Sequence, residues 1–274
     1  MEDLICRPDV TLGHIQHAVF DFDGTLSILR EGWEAVMEPM MVESICGSTP
    51  ETEEIREKVQ RYIDESTGIQ TILQMQNLVQ MVHDFGRVPK GQILDAWGYK
   101  KIYNDRLLQN VNDRIRRLQS GELARAHFVV QGGTEFVQAL RQRGVHLYLA
   151  SGTDLEDVQR EAELLDFAKY FDGGIYGSIR SVEYNSKERV MQNIITDHQL
   201  SGPELLVVGD GPVEMRIAKN FNAVAMGVAS DETKGVGWNR KKIERLQNAG
   251  ADLLIPDFCR HEEVIRFLFT AAQS

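Results

Sequence analysis

The chain has 274 residues, 42% of them apolar and 26% charged, the proportions of an ordinary soluble globular protein with room for one large core and a second, smaller lobe. Its formal charge of −11 argues against a nucleic-acid or anionic-membrane partner, since both attract basic surfaces, and a phosphorylated ligand would need a local positive site. Cys6, Cys46 and Cys259 are scattered and show no Cys-x-x-Cys spacing, no apolar run is long enough to span a bilayer, and the Met1-Glu2-Asp3 start lacks the pattern of a secretory signal, so a cytoplasmic enzyme or binding protein is expected.

Residues up to about His17 read as a lead-in to the first strand, and His14 and His17 have no further ligand pattern around them. Ala18 to Phe20 is a short apolar run, read as a buried strand that stops in Asp21-Phe22-Asp23 and a Gly24-Thr25 breaker. Side chains alternate along a strand, so Asp21 and Asp23 share a face if strand geometry persists through both. Two adjacent carboxylates repel, and a bound cation or a retained proton relieves them. Taken alone, the same residues are equally a polar turn capping a buried strand.

From about Leu29 to Ser120 the chain reads as helix. Trp33, Val36, Met37, Met40 and Met41 form one apolar stripe, and Ile55, Val59, Tyr62 and Ile63 a second within Thr52 to Glu65. Ile69, Ile72, Leu73, Met75, Leu78, Val79 and Val82 form a third that ends near Gly86 and Pro89, and a last helix begins near Ile93 or Tyr99 and ends at Leu118. Met-rich stripes of this kind are expected to be bundle core, and His83-Asp84 a surface helix end. The segment reads as a helical bundle inserted after the first strand.

Strand and helix alternate from about Ala126. His127 to Val130 is a short apolar run, Gly132 to Arg143 a helix ending at Gly144, and Val145 to Ala150 a strand ending in Ser151-Gly152-Thr153-Asp154. Asp154 to Leu165 is helical, followed by a Gly-rich connection through Ile175-Tyr176-Gly177 and a helix over Ser186 to His198. Leu205 to Val208 is a strand running into Gly209-Asp210-Gly211-Pro212, where Pro212 can start a helix. Ala223 to Val228 and Asp252 to Ile255 are strands separated by a helix over Asn239 to Ala249. This alternation predicts an α/β fold, a Rossmann-like parallel sheet covered on both faces, with the all-helical insertion as a second unit.

Three strands thus end in small or acidic residues, and a parallel sheet gathers such ends into one crevice. Lys187 adds a cation near the start of a helix. Phosphoryl transfer needs this mixture: a nucleophile, donors and positive charge around the phosphoryl oxygens, and carboxylates that hold Mg²⁺.

The order and spacing of these pieces resemble the haloacid dehalogenase superfamily, whose members are mostly phosphatases. Asp21-Phe22-Asp23-Gly24-Thr25 looks like its first motif, Ser151 its second, Lys187 its third, and Gly209-Asp210 with Glu214 its fourth. The insertion is placed like the family's type 1 cap, so the expected division is a catalytic core of residues 1–28 and 121–274 and a helical cap of 29–120. Two departures stand out: Asn185-Ser186-Lys187-Glu188 lacks the proline that often follows the lysine in phosphoglycolate-phosphatase relatives, and Glu214 stands where Asp is common.

The resemblance implies hydrolysis of a small phosphate monoester, with Asp21 attacking phosphorus to form an aspartyl-phosphate and Asp23 as general acid and then base. Mg²⁺ would be held by Asp21, the Asp23 backbone carbonyl, Asp210 and Glu214. Ser151 and Gly152 would bind phosphoryl oxygens, Lys187 would offset charge, and Thr25 would orient the loop. Asp23 speaks against dehalogenation, which has no leaving oxygen to protonate; a phosphomutase shares all four motifs, and a catalytically silent phosphate-binding module is a further alternative. Specificity is expected from the cap, with Arg30 and the Thr67-Gly68-Ile69-Gln70-Thr71 turn as candidates and a surface ion pair or a plain helix connection as their simpler readings.

Overall fold

A computed structural model describes residues 5–6, 10–179 and 187–270 of the chain. Seven strands form one sheet in the order β1 (Ile5–Cys6), β7 (Leu253–Ile255), β6 (Val224–Val228), β5 (Leu205–Gly209), β2 (His17–Phe20), β3 (His146–Asp154) and β4 (Ile175–Ser178). All pairings are parallel except β1 with β7. The predicted first strand is therefore central: Phe20 stands opposite Leu149 of β3 and Val208 of β5. That register brings the three motif-bearing strand ends side by side.

Alternation along β2 splits the core into two layers. Ala18 and Phe20 belong to the cluster with α5 (Gly133–Gln142), α6 (Leu155–Leu164) and α10 (His261–Leu268), whereas Val19 packs in the cluster with α7 (Lys187–His198), α8 (Pro212–Asn220) and α9 (Arg240–Asn248). Phe20 is fully buried, with ring edges of Phe136 and Phe171 about it at 6.1 and 6.0 Å between centroids. Burial of one such side chain stabilises the fold by about 1.5–3 kcal/mol.

Between β2 and β3 lie α1 (Trp33–Cys46), α2 (Glu53–Ser66), α3 (Thr71–Phe85) and α4 (Ala96–Gln119), packed on one another. The three apolar stripes meet in their interior, where Met37, Met40, Met41, Ile55, Val59, Met75, Leu78 and Val82 are all buried. Asp95 caps α4 by accepting from the Gly98 amide at 2.8 Å, which sets its start between the two predicted positions. Arg114 of α4 ties this bundle to its own entry, donating to the carbonyls of Leu29 and Glu31 at 2.8 Å each.

Several expectations need correction. Ile175-Tyr176-Gly177 is not a connection but most of β4, pairing with Leu149 and Ala150; the glycines before it, Gly173 and Gly174, make the turn and obscured the strand. His127 to Val130 is a turn of 3₁₀ helix over Arg125–Phe128, followed by Val129 and Val130 pairing with Ser27 and Leu26 of the first motif's loop. The sequence reading passed over β1 and α10, and the start of the helix expected at Ser186 lies outside the described residues, which resume at Lys187. Among the described residues no helix is long and apolar enough to cross a membrane.

Candidate active site

Asp21 leaves β2 with its amide still bonded to the Val208 carbonyl at 2.8 Å, so strand geometry delivers its carboxylate to the crevice. The chain then turns sharply, with the Phe22 carbonyl accepting from the amides of Leu26 and Ser27 at 2.9 Å. Fully buried Phe22 anchors this loop below while Asp21 and Asp23 both reach a cavity of about 80 Å³ above it. The lining also includes Ser151, Gly152, Thr153, Lys187 and Asp210 from the core and Arg30, Trp33, Thr67, Gly68, Ile69, Tyr103 and Gln74 from the helical insertion and its entry.

The site is held by a chain of charges. Lys187, the first described residue of α7, places its Nζ 2.9 Å from Asp21 Oδ1 and also pairs with Glu214 Oε1. Burial, then Glu214 and Asp210, push the Asp21 carboxyl well above its usual range, and Lys187 opposes them. Burial works against a charged Lys187, but Asp21 and Glu214 raise it above an ordinary lysine. Asp21 therefore needs positive charge nearby to stay ionised, and Lys187 supplies part of it.

Asp23 is aimed differently. Its Oδ2 accepts from Ser151 Oγ at 3.2 Å and Thr153 Oγ1 at 2.9 Å, and its Oδ1 lies 3.8 Å from Arg30 Nε. Ser151 also accepts the Thr153 amide at 3.0 Å, so the second motif orients the second aspartate as well as lining the cavity. It is not a helix cap, since α6 starts after Asp154.

Asp210 is buried at the end of β5, its Oδ2 2.7 Å from Lys242 Nζ. Burial raises its carboxyl, but Lys242 and then Arg245 outweigh that and hold it below the usual range. Glu214, in the first turn of α8, is 2% exposed, and its Oε2 has no partner among the described atoms. These hard oxygens suit Mg²⁺, which keeps several waters and takes only one or two carboxylates from the protein. Among the described residues no three His, Cys, Asp or Glu side chains converge as an all-protein cage, which such a partly hydrated ion does not require.

The turn between α2 and α3 closes the site from above. Gly68 has φ of +96°, and a Cβ there would lie 2.6 Å from both carboxylate oxygens of Glu214. A Cβ on Gly152 would lie 2.5 Å from the Ile69 carbonyl. Glycine is needed at both ends of this contact for backbone to meet the strand ends.

Other predicted residues sit beside the cavity. Thr25 is fully buried with no partner for its hydroxyl among the described atoms, and Gln70 is buried in the turn but outside the cavity wall. Arg30 lines the cavity, yet its guanidinium makes a two-pronged bond to buried Glu161 of α6, at 3.0 and 2.6 Å, with Asp157 at 3.3 Å. This is an ion pair with glutamate, but an interior one. The sequence reading did not single out Thr153, Gln74, Tyr103, Lys242 or Glu232, which binds Lys242 at 2.6 Å; only Thr153, inside the Ser-Gly-Thr strand end, carried a local signal.

The comparisons with known proteins bear on the fold and the family. No curated protein matches the chain. Solved structures similar to it over nearly their whole length include a predicted phosphatase from Clostridium acetobutylicum (17% identity, TM-score 0.57, 92% of this chain and 99% of that one). They also include a predicted phosphoglycolate phosphatase from Haemophilus somnus (13%, 0.58, 92% and 98%) and a beta-phosphoglucomutase from Clostridium difficile (10%, 0.61, 93% and 97%). At these identities the likeness is one of fold. The model of the haloacid dehalogenase-like hydrolases matches residues 15–222, which contain all four motifs and the helical insertion, and the chain belongs to that family.

Proposed function

We propose that this hydrolase is a Mg²⁺-dependent phosphatase acting on a small-molecule phosphate monoester, with residues 29–120 as its cap and residues 1–28 and 121–274 as its catalytic core. The observation that carries the reading is the buried Asp21 carboxylate, paired with Lys187 at 2.9 Å on the wall of a cavity that Asp23 also enters. An Asp21 oxygen attacks phosphorus in line, and the bond from phosphorus to the leaving oxygen breaks. Asp23, held by Ser151 and Thr153, gives that oxygen its proton and releases the alcohol. The aspartate so ionised takes a proton from water, the water oxygen attacks phosphorus, and phosphate leaves with Asp21 restored.

Lys187 offsets negative charge on Asp21 and the phosphoryl group, and Ser151 and the Gly152 amide face the phosphoryl oxygens. Asp21, the Asp23 carbonyl and Asp210 would hold Mg²⁺, with Glu214 directly or through water; the ion supplies positive charge to the transferring group. The Gly68 turn lies over the site, and a cavity of about 80 Å³ favours a compact metabolite over a phosphoprotein. The acidic chain and the unpaired Cys46 and Cys259 are consistent with a cytoplasmic enzyme. The likeness to a beta-phosphoglucomutase supports one alternative, return of the phosphoryl group to a sugar hydroxyl.

The test is phosphate release from a panel of small phosphate esters, with Mg²⁺ or with EDTA, by wild type and Asp21→Asn. Release that needs both Mg²⁺ and Asp21 supports the phosphatase. Transfer to a sugar phosphate without release of phosphate would favour the mutase.

A further inference from the structure

Asp210 is gripped by a helix that lies beyond the residues matched by the family model. The family model ends at residue 222, whereas Lys242 and Glu232 belong to α9 and the loop before it. Lys242 is only 5% exposed, and its Nζ lies between Asp210 Oδ2 at 2.7 Å and Glu232 Oε1 at 2.6 Å. A lysine at that depth needs both carboxylates: burial disfavours its charge, and Asp210 and then Glu232 restore it.

The lysine is fixed from behind. Asn239 caps α9 by accepting the Lys242 amide at 3.3 Å, and the Asn239 amide bonds to the Ala229 carbonyl at the end of β6 at 2.8 Å. The same helix reaches the Asp210 backbone, with Arg245 Nη2 donating to its carbonyl at 3.4 Å. Asp210 and Glu232 also press on the first motif, since a Cβ on Gly24 would lie 2.3 Å from Asp210 Oδ2 and 3.2 Å from Glu232 Oε1. Gly24 directly follows Asp23, whose carbonyl is the proposed backbone ligand.

We propose that Lys242, held by Glu232, is a positioning residue for the metal ligand Asp210: it fixes Oδ2 and leaves Oδ1 to the cation. The inference rests on the reading of Asp210 as a Mg²⁺ ligand. It makes α9 a fifth contributor to the strand-end site, beyond the four motifs. Partners of this kind, one step removed from a metal, commonly set its affinity by about 10- to 100-fold.

Removing the lysine alone would also make the site more negative, which by itself attracts Mg²⁺. The decisive variant is therefore the double substitution Lys242→Met/Glu232→Gln, which removes one positive and one negative charge together. Mg²⁺ binding is measured by calorimetry on wild type, this variant and Asp210→Asn, with urea unfolding of each in EDTA.

The proposal expects the double variant to remain folded and bind Mg²⁺ at least about tenfold more weakly, with the Mg²⁺ concentration for half-maximal phosphate release rising by the same factor. Wild-type or tighter Mg²⁺ binding by the double variant overturns it, and a lowered unfolding midpoint with unchanged binding marks Lys242 as merely structural. If the double variant does not fold, Lys242→Arg, which keeps the charge but moves the donor off Asp210 Oδ2, is expected to weaken binding about threefold or more, and wild-type binding overturns the proposal. Unchanged binding by Asp210→Asn would instead remove the underlying reading of the ligand set.

Discussion

Arg30 and Glu161 form a buried ion pair whose removal tests stability and catalysis separately. Glu161 is fully buried and Arg30 only 7% exposed, and they meet through two hydrogen bonds. Burial pushes the Glu161 carboxyl up and Arg30 opposes it. In Arg30→Met the carboxylate loses its two-pronged partner and keeps Arg160 only at 3.8 Å, while the charges of Asp23 and Asp157 still act on it. Breaking a buried pair from one side costs about 3–5 kcal/mol, whereas replacing both charges with apolar groups of similar volume is often neutral. Urea unfolding should therefore show Arg30→Met about 3 kcal/mol or more less stable than wild type, and Arg30→Met/Glu161→Leu within about 1 kcal/mol of it. Phosphatase activity of the double variant should stay low, because Asp23 has lost the guanidinium 3.8 Å away. A single variant that loses less than about 1 kcal/mol, or a double variant as unstable as the single, would refute this account of the pair.

Two further substitutions probe the cap contact and the far end of the sheet. Gly68→Ala puts a Cβ 2.6 Å from the Glu214 carboxylate at a φ of +96°, a strain of about 1–3 kcal/mol, so the turn should lift and kcat should fall with a lower unfolding midpoint. Unchanged kinetics and stability would mean that the turn does not close on Glu214. His17, buried beside His198 and His146, has its pKa lowered to about 4 from 6.5, by burial first and then by these two histidines. Between those values the unfolded chain takes up a proton that the folded chain refuses, so stability falls as pH drops from about 6.5 toward 4. His17→Gln should flatten that part of the urea midpoint's pH profile, and an identical profile would exclude His17 as its source.

What could be read from the sequence followed from local chemistry. Ala18 to Phe20 is too short and apolar for an exposed segment, and an acidic break after it marks a strand end in any parallel sheet. The helical insertion was legible because its stripes repeat at helical spacing over long stretches. Pairings between distant segments were not: Arg30 meets Glu161 across 131 positions, and Lys242 meets Asp210 across 32. Nothing beside either cation announces its partner, and an isolated lysine three residues after an Asn cap reads as a solvated helix residue. β4 was hidden by the glycines ahead of it. At two residues, β1 is too short for any periodicity to show.

The most direct test of the account is the site of covalent phosphorylation during turnover. Enzyme mixed with a hydrolysed ester and Mg²⁺, quenched in acid and mapped by peptide mass spectrometry, should carry one phosphoryl group on Asp21, removable by hydroxylamine. Asp23→Asn should slow both its formation and its hydrolysis, and Asp21→Asn should lack it with release lowered by roughly three orders of magnitude or more. Phosphate release at near wild-type rate by Asp21→Asn, or a phosphoryl group on any other residue, would contradict Asp21 as the nucleophile.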